Sequence, residues 1–351
     1  MSTPFRIAFI GVDHPHGAGW REALFNLQDE ARITALVPRF GGSTTSLEER
    51  LSHLPRFETV EDLLDRGGDL FDGAVVCLPN DEGPAAIVRL AQAGKHLLVE
   101  KPGAGSAAAA RPIVEAVRAA GVAFQSGYLW RYDEGAQRLR DMVAEGRFGK
   151  LIQVEMGFTT SDVGRRGPSH YLFDQGISQR GFFNWLACHW LDLLLDITGD
   201  RVAAVTARVG NFGAEAIDVE DGGAVILELA QGTLATFVGG YWLPRWAGES
   251  HWTIRGSGRW VHWNPQQAGT GGVLTIYGPQ PQFQAMNEVY TIPADSTPGY
   301  GGLRAVALLR DWIAAAQTRA TCRNTPESML AVLELLDAIY ESSAHGKTVR
   351  M

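Results

Sequence analysis

Short apolar runs alternate with amphipathic stretches through the first 125 residues, and that rhythm leaves few folds open. Phe5 to Gly11 reads as a strand, Gly19 to Gln28 as a helix, and Arg32 to Val37 as a strand again. Val60 to Arg66 is a short helix, Gly73 to Leu78 a buried strand, and Pro84 to Ala93 a helix. His96 to Val99 is a strand, Ala107 to Ala119 an alanine-rich helix, and Val122 to Gln125 a last strand. Parallel strands need crossover helices, so this order predicts α/β architecture with a doubly wound, mostly parallel sheet.

After Tyr128 the pattern changes. A helix at Glu134 to Glu145 leads into long strands at Leu151 to Thr160, Val202 to Val209, Ala224 to Ala230 and Thr233 to Val238. Gln231-Gly232 reads as a two-residue hairpin between the last two. Short tryptophan- and glycine-rich strands fill His251 to Tyr277, and helices at Leu303 to Gln317 and Pro326 to Ser343 close the chain. A chain of 351 residues exceeds one ordinary core. The expected division is 1–127 and 128–351, the second part being α+β with a large, mostly antiparallel open sheet.

Composition narrows the partners. Apolar content of 45% with 20% charged residues is that of a globular protein. A net charge of −8 with no basic run argues against nucleic acid or an anionic membrane. Cys77, Cys188 and Cys322 form no CxxC pair, which suits a reducing compartment. No secretory signal and no run long enough to cross a bilayer is visible, so a cytoplasmic enzyme with a small-molecule substrate is expected.

Three places carry candidate chemistry. The turn Gly11-Val12-Asp13-His14-Pro15-His16-Gly17 follows a strand and opens a helix, where a dinucleotide fold cradles pyrophosphate. It keeps the first glycine, but Asp13 and His16 stand where later glycines are usual, so an ordinary βα turn is the competing reading. His14 and His16 are either compensating donors or solvated side chains. At the end of the second strand, Val37-Pro38-Arg39 offers an arginine in place of the ribose-binding acid; it either pairs with a ribose phosphate or lies on the surface.

Lys101, at the abrupt end of His96 to Val99, is either a solvated edge residue or a positioned catalytic group. The third place is the helix Phe182 to Ile197, stopped by Gly199. Helical spacing there puts Trp185, His189, Asp192 and Asp196 on one face, with Asp192 one turn from His189. Histidine is a natural acceptor for a hydroxyl proton. His170, Tyr171 and Phe173 either close over a substrate or pack as a loop on the sheet. Trp246, Trp252, Trp260 and Trp263 read mainly as sheet core or subunit interface. No ligand spacing for a metal is found.

Leu78-Pro79-Asn80, Ala93-Gly94-Lys95-His96 leading into Glu100-Lys101-Pro102, Gly127-Tyr128-Leu129-Trp130-Arg131-Tyr132, Gly146-Arg147-Phe148-Gly149-Lys150 and His189-Trp190-Leu191-Asp192 occur in that order. Together they resemble the motifs of the glucose-fructose oxidoreductase/inositol dehydrogenase (Gfo/Idh/MocA) family. The resemblance implies a Rossmann NAD(P)-binding domain at 1–127 and a substrate and oligomerisation domain at 128–351. Its open sheet would join subunits into a homodimer or homotetramer.

The implied reaction moves a hydride between NAD or NADP and a hydroxyl-bearing carbon of a sugar or polyol, with Arg39 tilting the choice towards NADP. Lys101 would contact the reacting hydroxyl and relay its proton. His189 would be the principal acid–base group, and Asp192 would orient it or bind substrate hydroxyls. Gly11, Val12, Asp13, His14, Arg39, Leu78, Pro79, Asn80, Glu100, Lys101 and Arg131 would border the cofactor. Tyr128, Arg131, Tyr171 and Trp185 would join Lys101 and His189 around the substrate.

Three departures stand out: the altered glycine turn, Gly83 where a histidine is often found, and Trp185 where an acid commonly precedes the histidine by one turn. They leave two competing functions. One is a non-catalytic sensor on the same scaffold. The other is non-redox glycoside cleavage, in which the cofactor is oxidised and re-reduced within one cycle.

Overall fold

The structure is a computed structural model that describes residues 3–14, 17–40, 50–213, 216–245, 247–281 and 283–351. Pro15, His16 and Trp246 lie outside the described residues. In chain order the elements are β1 (Phe5–Ile10), α1 (Gly17–Phe25), β2 (Ala31–Val37), α2 (Val60–Gly67), β3 (Gly73–Val76), α3 (Gly83–Gln92), β4 (His96–Val99), α4 (Ala107–Ala120) and β5 (Phe124–Ser126). There follow α5 (Glu134–Ala144), β6 (Leu151–Thr160), α6 (Cys188–Thr198), β7 (Val202–Gly210), β8 (Gly222–Leu229), β9 (Leu234–Gly240) and β10 (Gly248–Gly256). The last are β11 (Trp260–Asn264), β12 (Gly272–Tyr277), β13 (Glu288–Ile292), α7 (Leu303–Thr318), α8 (Pro326–His345) and β14 (Val349–Arg350).

The contacts divide the chain into Met1–Tyr132 with Ser296–Leu333, and Asp133–Asp295 with Glu334–Met351. The first stretch of the N-terminal unit ends at Tyr132, and residues 296–333 return to that unit. That unit holds the parallel sheet, in the order β2-β1-β3-β4-β5. Such a sheet must be covered on both faces. α7 supplies part of the cover: Leu308, Leu309 and Trp312 join Phe5, Ile7 and Phe9 in one buried cluster, with Trp312 edge-on to Phe5 at 5.4 Å. Local signals fix the helix ends. Thr59 and Ser106 accept N–H groups of Asp62 and Ala109, and Gly121 closes α4 at φ 62°.

The second unit holds nine strands in the order β13-β12-β11-β10-β6-β9-β8-β7-β14, with β6 and β9 the parallel pair. The sequence expectation of a large, mostly antiparallel sheet is met. One face is apolar core, where Trp190 of α6 stacks on Phe158 of β6 at 4.9 Å and Trp252 lies 5.8 Å from Trp263. The other face leaves Ile226, Leu234, Val238 and Val289 exposed.

Two details differ from the sequence reading. The β8–β9 turn takes the residues between Leu229 and Leu234, with Gly232 at φ 87°, where a two-residue hairpin was expected. And the helix expected to run unbroken from Phe182 to Ile197 begins with a π-helical turn, Phe183–Ala187, before α6.

Candidate functional site

In the N-terminal unit, register builds the site. Val37 pairs with Ile10, Ile10 with Val76, Val76 with Val99, and Val99 with Ser126. All five strands thus stop in one row, and the residues just beyond that row emerge along a single edge. These are Arg39 after β2, Gly11 to His14 after β1, Leu78 to Asn80 after β3, Glu100 and Lys101 after β4, and Tyr128 and Arg131 after β5. Ligands of open α/β sheets bind outside such carboxyl ends, where the strand order reverses. Here the reversal lies at β1 and β3.

The loops after β1, β2, β4 and β5 are held by specific partners. Gly11 turns at φ 68°, and a Cβ there would collide with the Cys77 carbonyl. Asp13 does not face outward as an isolated anion: its carboxylate accepts the N–H groups of Arg39 and Phe40, both at 2.7 Å. His14 packs edge-on to Phe40 at 4.9 Å. The aspartate that spoils the glycine pattern thereby ties the β1 turn to the end of β2. The Arg39 guanidinium is paired with the Glu82 carboxylate, through Nε at 2.6 Å and also through Nη2. A cavity of ≈ 820 Å³ opens here, lined by Ile10, Asp13, Val37, Arg39, Leu78 and Glu82 among others. Its place, size and apolar floor suit the adenosine half of a dinucleotide.

At the end of β4, Glu100 is buried and accepts the indole N–H of Trp20 at 2.7 Å, fastening α1 beside the strand end. Lys101 is only 2% exposed. Burying an ammonium is costly and needs compensating partners, which marks this lysine as positioned and not solvated. Gly127 runs alongside; a Cβ on it would press on the Glu100 carboxylate and the Lys101 N–H at 3.0 and 3.1 Å. Asn324, from the returning segment, donates its amide to the carbonyls of Ser126 (2.9 Å) and Tyr128 (3.0 Å). Tyr132 donates to Asp311 at 2.6 Å and accepts from Gln125, and burial raises its phenol pKa well above the usual value. Arg131 is buried and donates to the Arg323 carbonyl at 3.4 Å.

In the second unit, His189 and Asp192 lie within the first turns of α6, 4% and 0% exposed. The segment leading in is fixed by Glu220, whose carboxylate accepts the N–H of Gly181 (2.8 Å), the N–H of Phe183 (3.1 Å) and the Tyr340 hydroxyl. Burial pushes the Glu220 carboxyl above its ordinary range, against the opposing pull of Tyr340 and those N–H groups. Arg180 pairs with Asp337 at 2.6 Å and lies over the Tyr340 ring.

The π turn alters the expected face. Cys188 donates its N–H back to the Phe183 carbonyl, five residues earlier, so the turn holds one residue more than an α-helix. Trp185, expected one turn before His189, instead donates its indole N–H to the Arg180 carbonyl at 3.1 Å and meets Tyr171 edge-on at 6.3 Å. His170 and Phe173 pack locally, Phe173 edge-on to Tyr241. Trp252 and Trp263 are core, while Trp260 is partly exposed and stacked on Tyr277. Among the described residues no group of three or more metal-ligating side chains comes together.

Sequence reading passed over Asn184, Glu220 and Asn324. Asn324 and Glu220 act through partners more than thirty residues away, which no local pattern announces. Asn184 depends on the π turn.

The two units define a protein with a nucleotide-binding parallel sheet and a second, sheet-based unit that carries a buried histidine helix. The chain belongs to the Gfo/Idh/MocA family: a model described as an oxidoreductase family with NAD-binding Rossmann fold matches residues 5–128, and one for the GFO/IDH/MocA C-terminal domain matches 136–262. It is 25% identical over 218 residues to 2,7-anhydro-N-acetylneuraminate hydratase of Escherichia coli, covering 60% of this chain and 55% of that protein. It is 29% identical over 177 residues to inositol 2-dehydrogenase of Rhizobium meliloti, covering 50% and 51%. The chain thus spans about half the length of these curated relatives. Levoglucosan dehydrogenase, solved with NADH and L-sorbose, shares the fold with a TM-score of 0.87 at 15% identity, over 99% of this chain and 98% of that one. No helix among the described residues is long and apolar enough to cross a membrane.

Proposed function

We propose that this chain is a nicotinamide-dependent oxidoreductase acting on a secondary hydroxyl of a sugar or polyol. The observation that carries the reading is the buried Lys101 at the aligned strand ends, in a chain that also presents a buried histidine on α6. When bound, the nicotinamide supplies the hydride acceptor or donor. The residues present fit such a group, because the cavity at the ends of β1, β2 and β3 offers it space.

Lys101 carries the positive charge that stabilises the developing alkoxide, and His189 takes the hydroxyl proton. Asp192, one helical turn on, holds the imidazole in one tautomer. Glu100 acts through Trp20 and keeps the Lys101 backbone in place. Gly11 to His14, Leu78 to Asn80 and Arg131 form the cofactor's surroundings, with Tyr128, Tyr171 and Trp185 nearer the substrate.

The cavity is lined by Asp13, Glu58, Glu61 and Glu82 as well as Arg39 and Arg56, with Glu82 engaging Arg39 and Glu61 engaging Arg89. That balance favours the ribose hydroxyls of NAD over the phosphate of NADP, reversing the tilt that Arg39 alone implies. The exposed apolar row on the nine-stranded sheet is the surface through which copies of the chain pair. A cytoplasmic location fits the three buried cysteines, none of which is in a disulfide.

Titration with NADH and NADPH, followed by absorbance at the reduced-nicotinamide band with NAD and a panel of polyols, tests this reading. Tight NADH binding and net reduction are expected; binding of neither nucleotide would identify a sensor instead. The hydratase relative gives the second reading its one support. Turnover of a glycoside without net reduction would establish that one.

A further inference from the structure

The π turn does more than interrupt a helix. In an α-helix the residue stacked one turn before His189 is Trp185, whose indole is drawn off to the Arg180 carbonyl. One extra residue in the turn moves that place back to Asn184. π turns are inserted at a cost to helix geometry and recur at functional sites.

Asn184 is fully buried, and neither its carbonyl oxygen nor its amide nitrogen has a hydrogen-bond partner. Its neighbours in sequence, Phe182 and Phe183, lie in an aromatic cluster with Phe237. Keeping a complete carboxamide buried with neither atom hydrogen-bonded is unfavourable, and an isosteric leucine would fill the same space without that cost. The Glu220 carboxylate, fixed on Gly181 and Phe183, does not satisfy it.

From these observations we infer that Asn184 is a substrate-binding residue, brought into the turn before His189 by the π insertion, and that its ligand is a hydroxyl next to the reacting carbon. A carboxamide offers one acceptor and one donor side by side, which matches a vicinal diol. The acid missing at Trp185 is thus replaced by a neutral group one residue earlier. This inference rests on the oxidoreductase reading above.

The test uses the full-length protein with NAD and myo-inositol, together with the other cyclic polyols and anhydro sugars of the panel. Asn184→Leu should melt at or above the wild-type temperature while kcat/KM falls about 10- to 100-fold. Asn184→Asp, which keeps the shape and the acceptors, should retain more activity than Asn184→Leu. On the best substrate, the analogue lacking the neighbouring hydroxyl should lose in the wild type what Asn184→Leu loses, and little more in the variant. Should the wild type reduce NAD while Asn184→Leu turns over as fast and gains stability, the amide is only a buried structural group and the inference falls alone. Should the wild type neither bind NADH nor reduce NAD, the oxidoreductase reading falls and takes the inference with it.

Discussion

The two units bring polar groups into place by opposite means. In the N-terminal unit five regular strands stop in one row, so residues as distant in sequence as Gly11 and Lys101 emerge on the same edge. In the second unit the histidine helix depends on an irregularity, a π turn anchored by a buried carboxylate from a remote loop. Regular elements place groups cheaply and tolerate changes in the loops. An irregular one places them only while its tether holds.

The largest expected effect tests the regular half. Lys101→Met keeps the length and burial of the side chain but removes its charge. It should lower kcat by about 10³-fold, while the Kd for NADH, measured by fluorescence titration, shifts only a few-fold. Wild-type turnover in this variant would break the assignment of Lys101.

The tether in the other half is next. Glu220→Ala strands two buried N–H groups and the Tyr340 hydroxyl, costing about 3 kcal/mol or more. Thermal melting should show that loss, and kcat should fall with it as the turn before His189 relaxes, although Glu220 touches no reactant. Glu220→Gln, which keeps one acceptor, should lose less of both. Equal melting of Glu220→Ala and wild type would show that the π turn needs no tether.

A smaller effect concerns the cavity. Glu82→Gln releases the Arg39 guanidinium, which is half exposed and free to swing towards a ribose phosphate. Affinity for NADPH should rise roughly 3- to 10-fold, with NADH affinity little changed. If the preference does not move, Arg39 takes no part in nucleotide choice.

The same contrast explains what could be read from sequence. Strands β1 to β5 were legible because period, length and flanking Gly and Pro are local, and the strand His96–Val99 is found with the expected bounds. Lys101 stood out because it follows such a strand directly. The return of residues 296–333 to the first unit was not legible, since α7 has an ordinary apolar face and nothing local says which sheet receives it. Asp13 was legible only as a defect; its bonds to Arg39 and Phe40 reach across the whole of α1 and β2. The π turn was hidden most completely. Phe182 to Ile197 has good helical spacing, and the extra residue follows from a carboxylate 37 positions beyond Phe183.

The smallest predicted effect reaches the regular half through pH. His96 opens β4, and its Nδ1 accepts the Ala123 N–H at 3.0 Å, which requires a neutral ring. Burial lowers its pKa below the ordinary 6.5; Asp72 opposes this, and Arg319 and Lys95 add to it. The folded state therefore binds this proton less readily than the unfolded chain. Stability from this group is present above about pH 6.5 and is lost as pH falls through the lower folded value. His96→Asn keeps an acceptor for Ala123 but does not titrate, so its melting temperature should decline less between pH 7.5 and 5. The expected difference in that decline is roughly 1–2 °C. A steeper decline in the variant would mean that protonation of His96 stabilises the strand, and the bond to Ala123 would then not be what holds the start of β4 in register.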